Sequence, residues 1–166
     1  MSRLQSALDR IAFARSYTLR FLNDIPPGDW FKMPSEGVTH VAWQVGHMAY
    51  TQYRLTVFRI RGPRPDDERL IPSAFRAVFL PATQPSPDPA LYPPAEVVRA
   101  TFDRVHTQVM AELADWPDAD LDSPITPTHD VAKTKLQVLH WCADHELVHA
   151  GQIALLRRLF GQKPIW

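Results

Sequence analysis

The chain has 166 residues, with 18 Lys and Arg against 18 Asp and Glu, so its formal net charge at pH 7 is zero. A balanced charge gives no overall field that would attract nucleic acid or an anionic membrane, and a small neutral or zwitterionic ligand is the better fit. The single cysteine, Cys142, excludes an internal disulfide framework. The length predicts one domain over residues 1–166, with a core that does not need a metal to fold.

The N-terminal segment and the hydropathy pattern bear on location. The segment MSRLQSALDR has no basic stretch followed by an apolar run. No stretch of the sequence approaches the roughly 20 apolar residues of a membrane span. We therefore expect a cytoplasmic protein with no membrane partner.

The prolines divide the chain into helical and non-helical parts. A proline costs a helix interior about 3 kcal/mol, so proline-free windows are where helices can form. The 16 prolines leave four long windows, which are 1–25, 35–62, 95–116 and 128–163. Four amphipathic windows without an alternating β-type pattern predict an all-α protein built as a four-helix bundle.

Capping residues indicate where the first two helices begin and end. Ser2 and Gln5 have capping-box spacing ahead of an apolar row, which predicts the start of helix 1. Thr39 can cap helix 2, and Gly62 suits the left-handed position beyond a helix end. We predict one long helix 2 between them, followed by a long proline-rich loop over 63–94.

The last two helices have similar signals. Pro93 and Pro94 are tolerated at a helix N-terminus and predict the start of helix 3. Thr134 and Gln137 form a second capping box, and Gly161 predicts the end of helix 4. Helix 3 should bury an apolar stripe that consists of Val98, Phe102, Val105, Val109 and Leu113.

Two histidines stand four residues apart in the string HELVH of helix 4. His145 and His149 would lie on one face, one turn apart, where both imidazoles can chelate one ion. The alternative of two separate structural roles stays open. The string also matches the HExxH signature of zinc proteases. Those enzymes take their remaining ligand from downstream, where this chain has no His, Asp, Glu or Cys, so any third protein ligand must lie upstream.

His47 is the best upstream candidate, because it stands among apolar residues in helix 2, where an unpaired imidazole would be poorly solvated. His40 and His106 are the next candidates. Glycines are unfavourable inside helices, so Gly46 and Gly151 predict close helix approach around the site. Three neutral imidazoles would leave coordination positions open, which is typical of catalytic metal sites.

The other chemically active residues nearby have simpler interpretations. Glu146 is more often a solvated residue or a neighbour of a ligand than a general base, and Cys142 is more often a small core residue than a thiolate ligand. Trp43, Tyr50 and Tyr53 are more often packing residues than a surface for substrate stacking. The sequence identifies no catalytic side chain.

The ordered combination of these motifs resembles the DinB/YfiT-like superfamily, all-α metalloproteins unrelated to the DNA polymerase called DinB. The resemblance lies in WQVGHMAYTQYRL of helix 2, in HELVHAGQIALLRRLFG of helix 4, and in one helix-2 histidine followed by a late HxxxH. It covers nearly the whole chain. It implies a four-helix bundle in which His47, His145 and His149 hold a divalent metal.

The resemblance implies an activity only broadly. Members include S-transferases that use bacillithiol, mycothiol or glutathione, a mycothiol-dependent maleylpyruvate isomerase and the iron-binding part of sulfoxide synthases. We predict a metal-dependent transferase of such a thiol to a small electrophilic substrate. The alternatives are a hydrolase that uses metal-activated water and a non-catalytic metal-binding stress protein.

The expected ligands follow from the same interpretation. Zinc, nickel and iron all suit three imidazoles, as does copper, so the residues do not select the metal. Tyr50, Thr51 and Arg54 follow His47 by three, four and seven residues and could line the same helix face to bind cofactor or substrate. A homodimer is a possible assembly.

Overall fold

The computed structural model describes residues 2–35 and 37–165, and the regular secondary structure of that part of the chain is helical. The predicted all-α fold class is therefore confirmed. The α-helices are α1 (Arg3–Leu22), α2 (Val41–Leu55), α3 (Val57–Ile60), α4 (Asp67–Leu70), α5 (Ser73–Val78), α6 (Ala95–Leu113) and α7 (Lys135–Leu159).

The four long helices α1, α2, α6 and α7 pack around a shared core. Helix α1 lies against α7, and α2 lies between α6 and α7. The predicted stripe of α6 is buried throughout, and it meets large apolar side chains from the other long helices. Packing of α2 against α7 positions the site, because these two helices contain the candidate histidines.

Local capping accounts for several of the helix ends. The Ser2 hydroxyl accepts a hydrogen bond from the backbone N–H of Gln5, and the Thr134 hydroxyl accepts one from Gln137. Residues Gly62 and Gly161 have positive φ angles of 89° and 81°, the left-handed conformation that glycine tolerates best. These four predicted end signals are confirmed.

Helix 2 differs from its prediction at its N-terminus and in its continuity, and Gly62 follows the end of the short α3. Helix 2 is capped by His40, whose Nδ1 accepts from the backbone N–H of Trp43 at 3.1 Å, and not by Thr39. It also breaks at Thr56, where φ is −100° and ψ is −96°, before the short α3 resumes. The Thr56 hydroxyl donates to the Gln52 carbonyl at 2.5 Å, so a side chain competes for a helical carbonyl at this break.

The segment 63–94 was predicted to be a loop throughout, and the structure differs from that prediction. It contains α4, α5 and a 3₁₀ helix at Pro89–Leu91, and further 3₁₀ turns occur at Pro27–Asp29 and Asp118–Asp120. A proline is tolerated in the first turn of a helix, so short helices can form between prolines. None of the helices in the described ranges is both long and apolar enough to cross a membrane.

Candidate metal centre

Three histidines from two helices converge inside the bundle. His47 comes from α2, and His145 and His149 come from α7. Their ligand nitrogens all lie within 4.8 Å of one another. The ring centroids are 5.3 Å apart for His47 and His145, 5.0 Å for His47 and His149, and 4.4 Å for the α7 pair. These three residues are called the histidine triad below.

The spacing of the α7 pair matches that of two ligands on one ion. The Nε2 atoms of His145 and His149 are 3.2 Å apart. Two ligands at about 2.0–2.1 Å from a tetrahedral zinc ion are about 3.3 Å apart. A metal ion therefore fits the pair with little rearrangement.

In two of the triad rings, the Nδ1 nitrogen contacts an oxygen acceptor. His47 Nδ1 lies 2.9 Å from the Phe79 carbonyl oxygen, and His149 Nδ1 lies against the side-chain oxygen of Gln44. The Gln44 amide nitrogen donates to the Thr39 hydroxyl at 2.8 Å, which orients its oxygen toward the ring. Because carbonyl oxygens only accept, each Nδ1 must carry the proton and each Nε2 is left free as a metal ligand.

Burial sets the protonation state of the triad. It lowers the pKa of His47, although the Phe79 carbonyl opposes this shift. Burial together with the neighbouring imidazoles lowers the pKa of His145 to about 4 and that of His149 to about 3. All three rings are therefore neutral near pH 7, which is the form that binds a metal.

Aromatic side chains flank the triad on both helices. The Trp43 ring stacks on His47 at 4.7 Å between centroids and 5° between planes, and its Nε1 donates to Thr83 at 2.9 Å. The Trp141 ring meets His145 edge-on at 6.2 Å. Trp43 therefore does more than pack the core, because it holds the ring plane of a candidate ligand.

The three predicted substrate-binding residues lie at different distances from the triad. The Thr51 hydroxyl is 3.3 Å from Nε2 of His47, and the half-buried Tyr50 ring is 6.5 Å from the His47 ring. Arg54 instead lies 4.0 Å above the ring of Phe58. Thr51 and Tyr50 therefore border the triad, and Arg54 lies outside it.

Glu146 and Cys142 are buried beside the triad but do not belong to it. Glu146 forms an ion pair with Arg15 at 2.8 Å, and both side chains are about 95% buried, with 4% and 5% exposed. Burial, with the nearby Glu146 charge, raises the pKa of the Cys142 thiol, so it stays protonated. Neither residue presents a free base or a thiolate to the site.

The two glycines near the triad behave differently. A Cβ on Gly46 would lie 2.5 Å from the Phe79 ring, so glycine is required where this ring packs on α2. Phe79 is also the residue whose backbone carbonyl oxygen accepts a hydrogen bond from His47. A Cβ on Gly151 would meet nothing within 4 Å, so the prediction of close approach there is wrong.

The reserve candidates for the third ligand lie elsewhere. His40 caps α2, and His106 Nδ1 is 3.1 Å from the side-chain nitrogen of Gln52. Sequence reasoning missed Gln44 and Phe79 as partners of the ligand rings. Helical spacing could have identified Gln44, which is three residues before His47. No sequence signal identifies a backbone carbonyl acceptor such as that of Phe79.

The protein is a helical bundle in which two packed helices bring three neutral imidazoles together. These features place it in the class of candidate metal-binding helical bundles. The sequence model of the DinB superfamily matches residues 10–153, and the chain belongs to that superfamily. This membership confirms the resemblance seen in the motifs.

A solved structure gives an independent view of the fold. The chain is similar to a conserved protein from Enterococcus faecalis known from its crystal structure, with a TM-score of 0.74 and 17% sequence identity. The similarity covers 98% of this chain and 99% of that one. No curated protein sequence matches the chain.

Proposed function

We propose that the histidine triad binds a divalent metal ion, and that the metal-bearing protein transfers a low-molecular-weight thiol of the bacillithiol, mycothiol or glutathione type to an electrophilic substrate. The observation that carries the proposal is the convergence of three neutral imidazoles whose outward nitrogens are held by Phe79 and Gln44. Membership of the DinB superfamily supports the metal-dependent part.

The donor set suits zinc, nickel or iron. Three protein ligands leave at least one coordination position open for a small molecule. A bound dication there supplies the positive charge that favours a thiolate over a thiol near neutral pH.

The residues around the triad prepare the site for a thiol. Trp43 and Trp141 flank the imidazoles with apolar rings, which limits the access of water. The Thr51 hydroxyl, 3.3 Å from Nε2 of His47, is placed to hydrogen-bond a group that enters the open position. In the overall reaction a sulfur–carbon bond forms, the bond from that carbon to its leaving group breaks, and the thiol proton is released to solvent.

The placement of Glu146 favours a transferase over a hydrolase. Hydrolysis at a metal site commonly uses a nearby carboxylate as general base. The triad contains no carboxylate, and Glu146 is held in an ion pair with Arg15. A thiol, which ionises more readily than water, needs such a base less.

One panel of assays tests the proposal, using protein purified without a nickel column and analysed for its metal content. The metal-loaded protein should consume a thiol together with a halogenated aromatic electrophile and should lose this activity on chelation. Turnover of an ester without any thiol would indicate a hydrolase instead. Tight metal binding with neither activity would indicate a binding protein, whose thermal stability rises with metal concentration.

Histidine variants locate the metal. Replacement of His47, His145 or His149 by alanine should remove most of the bound metal and leave the helical circular dichroism in place. The matched control is His140→Ala, because His140 is on the same helix but outside the triad. Full metal content in the triad variants would disprove the site. Thiols that neither react nor change the visible spectrum of the cobalt-substituted protein would disprove the transferase.

A further inference from the structure

Two neighbouring arginines lack a carboxylate partner although they are half-buried. Within residues 2–35 and 37–165, Arg54 and Arg59 form no ion pair. The other buried or half-buried arginines are all paired: Arg15 with Glu146, Arg61 with Asp67, Arg76 with Glu68, Arg99 with Asp103 and Arg157 with Asp24. Arg54 and Arg59 are called the arginine pair below.

The surrounding chain holds the arginine pair in place. Arg59 donates from Nε to the Pro127 carbonyl at 3.2 Å and from Nη1 to the Arg54 carbonyl at 2.9 Å. The Arg54 guanidinium lies on the Phe58 ring. Burial and the nearby Arg54 charge lower the pKa of Arg59, and Tyr50 opposes the shift. Partly desolvated like charges without a counterion are unfavourable, so an anion that contacts them would be stabilising.

The arginine pair lies beside the histidine triad. Arg54 follows His47 by seven residues in α2, which places it on the same face about 10 Å along the helix axis. On the other side, the chain beyond Pro127 brings His129 to 6.3 Å from the Trp141 ring, which itself lies 6.2 Å from His145. The spacing along α2 is within the length of a small molecule that carries both a thiol and a charged group.

We propose that the arginine pair binds a carboxylate or phosphate group of the small molecule that reacts at the triad. The guanidinium groups match both anions in shape and charge. The substrate or thiol cofactor is then an anionic molecule long enough to span the two helical turns that separate His47 from Arg54. This inference rests on the proposed function for the reaction, but anion binding itself requires neither metal nor turnover.

Titration calorimetry on the metal-free protein tests the anion site with two probes. S-methylglutathione carries carboxylates but has a blocked sulfur, and inorganic phosphate is the second probe. At least one of them should bind the wild-type protein, and the one that binds identifies the preferred anion. The diethyl ester of S-methylglutathione, which lacks the carboxylates, should bind more weakly than its parent if the carboxylate is preferred.

Single substitutions assign the binding to the arginine pair. Arg54→Gln and Arg59→Gln should each weaken binding of the preferred probe about tenfold to a hundredfold, the usual effect of losing a charged hydrogen bond. Arg54→Gln removes no hydrogen bond made by its own guanidinium to the described chain, so it should fold normally. Arg59→Lys keeps the charge and should retain part of the affinity. The control is Arg158→Gln, because Arg158 is exposed and forms no ion pair with the described residues, and this variant should bind like wild type.

Two results would overturn the inference: neither probe binds the wild-type protein at millimolar concentration, or both glutamine variants bind as tightly as wild type. Either result leaves the proposed function intact, because the assay contains no metal and no free thiol. An inactive metal-loaded protein whose arginine pair still binds a probe would overturn only the transferase.

Discussion

Two polar regions meet on adjacent residues of α7, and they are built in opposite ways. His145 belongs to the triad, where the ligand nitrogens of three neutral imidazoles lie within 4.8 Å of one another. Glu146 faces the core, where Arg15 donates to it at 2.8 Å, to Gln52 at 2.9 Å and to the Phe102 carbonyl at 2.9 Å. The polar groups of the second region bond to one another, whereas the first region presents imidazole nitrogens that could bind an ion.

The difference shows how a histidine-glutamate sequence can be divided between two purposes. In an HExxH protease, the glutamate points into the metal site as a base. Here the Glu146 carboxylate is neutralised by an arginine whose guanidinium also lies 3.3 Å above the Phe102 ring. The same helix therefore uses its histidines for a candidate site and its glutamate for the core.

Breaking the ion pair should produce the largest effect on stability. Arg15→Met leaves Glu146 buried without a counterion, and removal of one partner of such a pair typically costs about 3–5 kcal/mol. The loss should appear in the free energy of unfolding measured by urea denaturation. The double variant Arg15→Met with Glu146→Leu should recover most of it and keep its affinity for zinc. A folded double variant that no longer binds zinc would place Glu146 in the metal site after all.

Loss of the Gln44 side chain should weaken the triad without unfolding the protein. Gln44→Ala removes the acceptor that orients His149, and loss of such a supporting hydrogen bond usually costs about tenfold to a hundredfold in metal affinity. Competition with a zinc chelator measures the change. Gln44→Glu keeps an acceptor and should remain closer to wild type. Equal loss in both variants would contradict an orienting role.

A methyl group at Gly46 should disturb the contact between α2 and the residue that follows α5. The added Cβ would meet the buried Phe79 ring at 2.5 Å, and overpacking of this kind costs about 1–3 kcal/mol. Zinc affinity should also fall, because the Phe79 carbonyl holds His47. Thermal and urea unfolding with a zinc titration measure both effects. Unchanged stability would mean that the ring can move away freely.

The smallest expected effect has the opposite sign. Gly151→Ala adds a methyl group to the exposed side of α7, where nothing lies within 4 Å. Alanine is about 0.5–1 kcal/mol more favourable than glycine inside a helix, so the variant should be slightly more stable. Urea denaturation tests this and provides the matched control for Gly46. Destabilisation would mean that the Gly151 side of α7 contacts another group.

What the sequence predicts well depends on interactions between near neighbours. Helix ends at Ser2, Gly62 and Gly161 follow from capping within a few residues, and the proline-free windows locate the long helices. The pair His145 and His149 follows from one helical turn. The convergence of His47 with that pair came from elimination among the upstream histidines.

What the sequence does not predict depends on tertiary contacts. Arg15 and Glu146 are 131 residues apart, and no local pattern connects them. The break at Thr56 has neither proline nor glycine beside it. The short helices of 63–94 form where α4 packs on α6 and Phe79, just after α5, packs on α2. Likewise, only the fold shows that Arg54 and Arg59 have no carboxylate partner among the described residues.

The stacking of Trp43 on His47 gives the site an optical reporter. Indole fluorescence is quenched by a paramagnetic ion a few ångströms away and little affected by zinc, whose d shell is full. Because the Trp43 and His47 ring centroids are 4.7 Å apart, cobalt, nickel or copper bound at the triad should quench the fluorescence of Trp43. The emission of the unlabelled protein can therefore follow the exchange of one metal for another in real time.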